Sequence, residues 1–374
     1  MLSKRLTLPL SKGISLFLGL DHELADCLSY LEKARQAGYD RLFTSLHIPE
    51  ANAAALLSQC QELITTARQS GFSVTADISP ATLDLLQASM DDLTPLKKLG
   101  LSALRLDYGF AAHDIVRIAK ATGAIIELNA STVTSNELSA VSNAGLPPHR
   151  LQACHNYYPR PETGLSYELF VQRSRFLRDH GIPVLAFIPS LVQPRAPLYS
   201  GLPTLEIHRG HSSLVAAKHL AASGLVQGIL FGDPFAAEQE LYDVAKVTTE
   251  CLELRFVADR PLTDAEAAIV LAPRHTNRHD PGAYAARSQE ARLLRRSAIT
   301  AARPLARPRG SITLDNEDYG RYQGELQLIL QQLPADERVN VVGHVIPDDL
   351  LLLDFIRPGQ PFRFVQVNTE RTSL

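Results

Sequence analysis

The chain has 374 residues, 45% hydrophobic and 21% charged, an ordinary globular composition that suits one large domain and a smaller one. Its formal charge of −3, from 40 acids against 37 bases, excludes recruitment to nucleic acid or an anionic membrane by bulk attraction. Only 8 of those bases are lysine and 29 are arginine, a bias toward the planar fork that matches carboxylates and phosphates.

At the N-terminus, basic residues precede an apolar run in the manner of a secretion signal. Pro9 and Lys12 break the run, and no small-residue cleavage site follows. No apolar stretch approaches the roughly 20 residues of a membrane span. Cys27, Cys60, Cys154 and Cys251 are far apart and show no metal or redox spacing. A cytoplasmic protein with reduced thiols is the expectation.

From residue 14 one unit recurs: a short apolar run, a polar turn, then an amphipathic stretch. The runs are 14–20, 41–46, 73–78, 103–108, 125–131, 151–158, 183–189 and 226–234. Several amphipathic stretches end in glycine, as in QAGYD, QSGFS, ATGAI, DHGIP and ASGLV, the residue that lets a helix turn back into a strand. Eight such units predict an α/β fold, a (β/α)8 TIM barrel, over residues 1–253. No GxGxxG follows the first run, which disfavours an open dinucleotide-binding sheet. Beyond residue 253 the texture changes. Residues 252–257 read as a strand and 265–271 are ambiguous. An arginine-rich stretch then spans 287–309, and SITLDN, GRYQGELQLIL, RVNVVGHVI and PFRFVQV alternate with period two. This predicts a small antiparallel β domain over 254–374.

Barrel active sites are built at the C-terminal ends of the strands and in the loops that follow. That rule selects His47 and Glu50, Asp77, Arg105 and Asp107, Glu127 and Asn129, then His155, Asn156, Tyr158, Arg160 and Glu162. After the seventh and eighth runs it selects Ser190, Glu206, His208, Arg209 and Asp233. A lone acid at a strand end is as often a helix cap or an ion-pair partner, and Asp77, Glu50 and Asp233 are most open to that reading. Asp107 and Glu127 follow alternating apolar residues that aim them into the barrel mouth. Several acids converging on one rim favour acid/base work on a polar substrate.

None of the eight lysines lies at a strand end, so Schiff-base and pyridoxal-phosphate chemistry lack their amine. His275 and His279 are spaced i, i+4 but have no HExxH glutamate between them, and no GxSxG occurs. No metal and no cofactor are called for. Carboxylate chemistry remains, and glycoside hydrolysis fits it, with Tyr157, Tyr158 and Phe235 available to stack on sugar faces.

The segments YDRLFTSLHIPE, RLDYGF, IELNAST, CHNYYPRPETGLS, GLPTLE, FGDPFA, RHTNRHD and LDNEDYGRYQGELQ, spread from residue 39 to 327, resemble the bacterial 6-phospho-N-acetylmuramidase family, long catalogued as "outer surface protein". The resemblance covers nearly the whole chain. It implies a barrel followed by a cyclophilin-like β domain. It also implies a cytoplasmic exo-hydrolase that splits N-acetylmuramic acid 6-phosphate–N-acetylglucosamine during peptidoglycan recycling. The implied partner is this phosphorylated amino-sugar disaccharide, not nucleic acid or membrane, and a homodimer is compatible with it. The family's catalytic residues are not carried over; the assignment rests on position. Asp107 and Glu127, on neighbouring strands, are the expected catalytic pair, with Asp233 in reserve. Asp77, Asn129, Asn156, Tyr158, Glu162 and Glu206 are expected around the substrate. Arg274, His275, Asn277, Arg278 and His279 are expected to hold one substrate anion from the second domain, and Arg160 or Arg209 the other. The alternative from a different class is a non-catalytic phosphosugar-binding or sensor protein on the same scaffold.

Overall fold

Eight parallel strands close on themselves in the computed structural model, which describes residues 10–19, 22–46, 53–106 and 109–368. They are β1 (Ser11–Ser15), β2 (Arg41–Ser45), β3 (Ser73–Ile78), β4 (Ala103–Leu106), β5 (Ile125–Asn129), β6 (Leu151–Cys154), β7 (Val184–Ile188) and β8 (Gly228–Phe231). Each pairs with the next, and β8 pairs with β1. Helices alternate with the strands, and two of them end on the expected glycines. Gly123 (φ 79°) and Gly224 (φ 67°) take the left-handed conformation that turns the chain back toward the sheet.

Period-two alternation splits each strand between two environments. Val74, Ala76, Ile78, Leu104, Ile126 and Leu128 face outward into the core shared with the helices. Inside the barrel, Phe17, Phe43, Cys154, Leu185, Phe187 and Leu230 pack with Tyr157. The Phe43 and Phe187 rings meet edge to face at 5.4 Å, and Tyr157 meets Phe187 at 5.2 Å. Gly13 makes room for this packing, because a Cβ there would lie 2.6 Å from Leu230 Cγ.

The first strand begins three residues before the expected apolar run. Lys12 is tolerated in it because Nζ donates to Leu10 O (3.3 Å) and Val247 O (2.8 Å). A buried ammonium thus finds carbonyl acceptors instead of water.

The chain divides into two compact units between Val247 and Thr248. The second unit holds β9 (Leu252–Ala258), β10 (His275–Thr276), β11 (Ala285–Arg287), β12 (Ser311–Asp315), β13 (Leu326–Ile329), β14 (Val339–Val345) and β15 (Pro361–Gln366). They form one sheet in the order β10-β15-β9-β14-β12-β13-β11. The sheet is not purely antiparallel as expected, since β15 runs parallel to β9. The ambiguous segment is a helix, Asp264–Val270, started by a reciprocal Thr263–Glu266 capping box. No helix among the described residues is long and apolar enough to cross a membrane.

Candidate active site

The inward positions on the β2–β6 side of the barrel are polar. Ser45 is in register with Asp77, Asp77 with Arg105, Arg105 with Glu127, and Glu127 with Gln152. One level of the barrel therefore carries a lateral row of polar side chains across five strands. Arg105 and Glu127 are 4% and 2% exposed. Arg105 Nη1 lies 3.8 Å from Glu127 Oε1, and Gln152 Nε2 donates to Glu127 Oε2 at 2.7 Å. Glu127 Oε1 has no hydrogen-bond partner among the described residues. Burial pushes the Glu127 carboxyl up toward the protonated form, against the pull of Arg105 and Gln152. The Arg105 guanidinium also lies over the Phe43 ring, 6.0 Å from its centroid, so it borders both the polar row and the aromatic half.

A second level sits two residues further along the strands. Asn129 Nδ2 and Arg105 Nη2 both donate to Asn156 Oδ1, the first at 3.1 Å. Asn156 is held in turn, its main-chain N–H donating to Ser131 Oγ at 3.0 Å. His155, beside it, is buried between Ser131 Oγ (3.2 Å) and Ser174 Oγ (3.0 Å). Burial and the nearby Arg105 and Arg173 push its pKa down to about 3, so the ring is a neutral structural linker at physiological pH. Asp77, Glu127, Asn129 and Asn156 are thus brought together as expected positions. Asp107, His47 and Glu50 lie outside the described residues.

Asp233 has a different place. It is fully buried, and its carboxylate accepts three amides from the loop after β7. Oδ2 takes Ser190 N and Leu202 N, and Oδ1 takes Arg195 N, each at 2.9 Å. Burial pushes this carboxyl up while the three amides favour the ion. With three loop amides on its oxygens, Asp233 clamps the loop after β7 to the end of β8.

Glu206 and Arg209 are clamps too. Glu206 accepts Glu162 N (2.8 Å) and Gly164 N (2.7 Å) and pairs with Arg209 Nε at 2.6 Å. Those contacts, the arginine first, hold its pKa down to about 2. Arg209 spends its remaining donors on the carbonyls of Ser200, Gly201, Tyr158 and Arg160. Its fork is filled by these internal partners. Tyr158 packs against the outer core, while Arg160 and Glu162 are exposed.

In the second unit, His275 is fully buried against Phe362 (5.4 Å) and Phe364 (5.8 Å), its Nδ1 on Ser288 Oγ at 3.0 Å. Asn277 is buried as well. It donates to Ile356 O (3.1 Å) and Arg357 O (3.2 Å) and accepts Arg287 N (3.0 Å). Both side chains tie β10 to neighbouring segments of the second unit. Arg278 pairs with Asp280 through Nε (2.8 Å) and Nη2 (3.0 Å), and Arg274 and His279 are exposed.

Two side chains of this region escaped sequence reasoning. Gln152 was legible in principle, as the polar residue at an inward position of LQAC. Arg195, in the loop after β7, carries no periodicity that could mark it. Its guanidinium stacks on Phe17 and Tyr157, 4.8 and 5.5 Å from their centroids.

The comparisons with known proteins agree with this division of the chain. A family model described as 6-phospho-N-acetylmuramidase, N-terminal, matches residues 12–246, and its C-terminal counterpart matches residues 252–365. The chain belongs to the 6-phospho-N-acetylmuramidase family. A crystal structure of an uncharacterized B. cereus protein superposes with a TM-score of 0.86 at 31% identity, covering 96% of this chain and 100% of that one. A conserved Enterococcus faecalis protein of unknown function gives a TM-score of 0.75 at 35% identity, covering 96% and 97%. No curated protein matches the chain. Membership of a 6-phospho-N-acetylmuramidase family makes the barrel interior, with its polar row, the natural place to look for glycosidase chemistry.

Proposed function

We propose that the protein is a cytoplasmic hydrolase that splits N-acetylmuramic acid 6-phosphate–N-acetylglucosamine into its two sugars, a reaction of peptidoglycan recycling. The observation that carries the chemistry is Glu127, a carboxyl inside the barrel that burial pushes toward its protonated form beside Arg105. Glycoside cleavage needs one carboxyl that holds a proton for the leaving oxygen and one that stays ionised. Glu127 is assigned the first role. Asp107, two residues beyond Arg105 on the chain, is assigned the second, as nucleophile, as base or in orienting the 2-acetamido group of the muramic sugar. Asp77, in the same polar row as Glu127, and Asn129, two residues beyond it, are assigned to bind hydroxyls. Arg41 and Arg105 both act electrostatically on Glu127 in the same interior, and guanidiniums there suit a substrate with a phosphate and a lactyl carboxylate.

The test is mass-spectrometric. Purified protein is incubated with the 6-phosphorylated disaccharide and, separately, with its unphosphorylated twin. Release of N-acetylglucosamine from the phosphorylated form supports the reading. Saturable binding without release would replace it with a sensor, and neither binding nor release would refute the substrate.

A further inference from the structure

The loop after β7 and the turn after β8 enclose, with the end of β1, a cavity of about 360 Å3. Phe17, His22, Gln193, Arg195 and Tyr199 line it, and its size falls in the range of small-ligand sites. Among the described lining residues, Arg195 is the only arginine or lysine. The guanidinium carbon lies over the Phe17 ring, 4.8 Å from its centroid, a contact that holds the charge beside the cavity. Its contacts to Tyr157 Oη (3.5 Å) and Ala196 O (3.4 Å) are at the long limit of a hydrogen bond. Among the described residues it forms no ion pair. In these respects it is the opposite of Arg209, whose fork is full. Asp233 holds the Arg195 amide and also acts on its guanidinium charge, so this one carboxylate helps place both main chain and side chain. The loops after strands seven and eight are also where barrels commonly hold a phosphate.

We propose that this cavity is the subsite for the phosphoryl group of the substrate, with Arg195 as its charged, two-pronged ligand. Gln193 and His22 stand beside it as polar neighbours. This rests on the reading above that the substrate is a 6-phosphorylated sugar. It replaces Arg209 as the anion's partner and makes Arg195 a specificity-determining residue of the barrel.

The experiment compares wild type with Arg195→Gln, Arg195→Lys and Arg160→Gln. The readout is the ratio of kcat/KM for the phosphorylated disaccharide to that for its unphosphorylated twin. Removing a hydrogen-bonded charge from a phosphate should lower the ratio by roughly 10- to 150-fold in R195Q. The loss should fall chiefly on KM, the melting temperature should hold, and R195K should recover part of the ratio. A wild-type ratio retained in R195Q, or lost in R160Q instead, would overturn the assignment. Should wild type cleave neither disaccharide, the substrate reading fails, and calorimetry with inorganic phosphate decides the site separately. Binding in wild type that R195Q abolishes keeps the subsite; no binding in either removes it.

Discussion

Asp233 separates a carboxylate that does chemistry from one that holds the chemistry in place. Replacing it with asparagine keeps the volume and removes one acceptor. The amide oxygen is best left at the Oδ2 position, where it still meets Ser190 N and Leu202 N. The new NH2 then faces Arg195 N, donor against donor. One charge-assisted hydrogen bond is lost and two fall to neutral strength, together about 3–5 kcal/mol of loop anchoring. If the loop opens alone, amide exchange at Arg195 should accelerate about 10²–10⁴-fold. If it opens only with the whole barrel, the melting temperature should drop by roughly 6–20 °C. Because the same loop carries Arg195, KM for the phosphorylated substrate should rise more than kcat falls. Asp233→Ala, which strands all three amides, should be worse on every measure. The reasoning is refuted if D233N keeps wild-type exchange and melting while turnover disappears. Asp233 would then touch the substrate.

Two further outcomes follow from buried carboxyls. Glu127→Gln should lower kcat by about 10²–10⁴-fold and remove the alkaline limb of the kcat/KM profile, where the acid loses its proton; turnover within threefold of wild type at all pH values would exclude Glu127 as the acid. In the second unit, burial together with Glu325 and Asp336 raises the Asp315 pKa from 3.8 to about 7. The native state therefore holds this proton more tightly than the unfolded chain, so the stabilisation is present below about pH 4 and lost by about pH 7. Each tenfold difference in proton affinity is worth about 1.4 kcal/mol, which makes the whole effect about 4 kcal/mol. Asp315→Asn should flatten urea-derived stability between pH 4 and 8 and exceed wild type at pH 8. Parallel curves for the two proteins would contradict the assignment.

The barrel was legible because its signals are local. Ser73–Ile78 is a strand where alternation placed one, and the glycines that close helices sit where left-handed turns are needed. The same alternation aimed Asp77, Glu127 and Asn129 inward. Asp233 and Glu206 were readable as strand-end acids, but their partners were not. Those partners are backbone amides 31 to 44 residues away, and an amide has no letter in a sequence. His275 and Asn277 misled for the same reason. A polar run with two histidines suggests a ligand site, yet β10 is two residues long and its polar side chains hold neighbouring segments together. Arg195 was invisible because its value comes from two aromatic rings that only the closed barrel brings beneath it.

The two halves of the barrel interior argue for a site on physical grounds. A barrel interior is ordinarily filled by branched apolar side chains, and the Phe17, Phe43, Phe187 and Leu230 side follows that rule. The β3–β6 side breaks it with Thr75, Asp77, Arg105, Glu127 and Gln152. Each ion withdrawn from water costs several kcal/mol, and a well-packed apolar replacement is often more stable than a buried pair. The Arg105–Glu127 separation of 3.8 Å is also wider than a hydrogen bond, and Glu127 Oε1 has no donor among the described residues. A row kept only for folding would close that gap. A buried carboxyl oxygen left open next to a guanidinium suits a group that holds a proton for a ligand's oxygen. The apolar half has the complementary role. It excludes water from one flank of Arg105 and sets Tyr157 beneath Arg195, so the same aromatic packing stiffens both the polar row and the phosphoryl subsite.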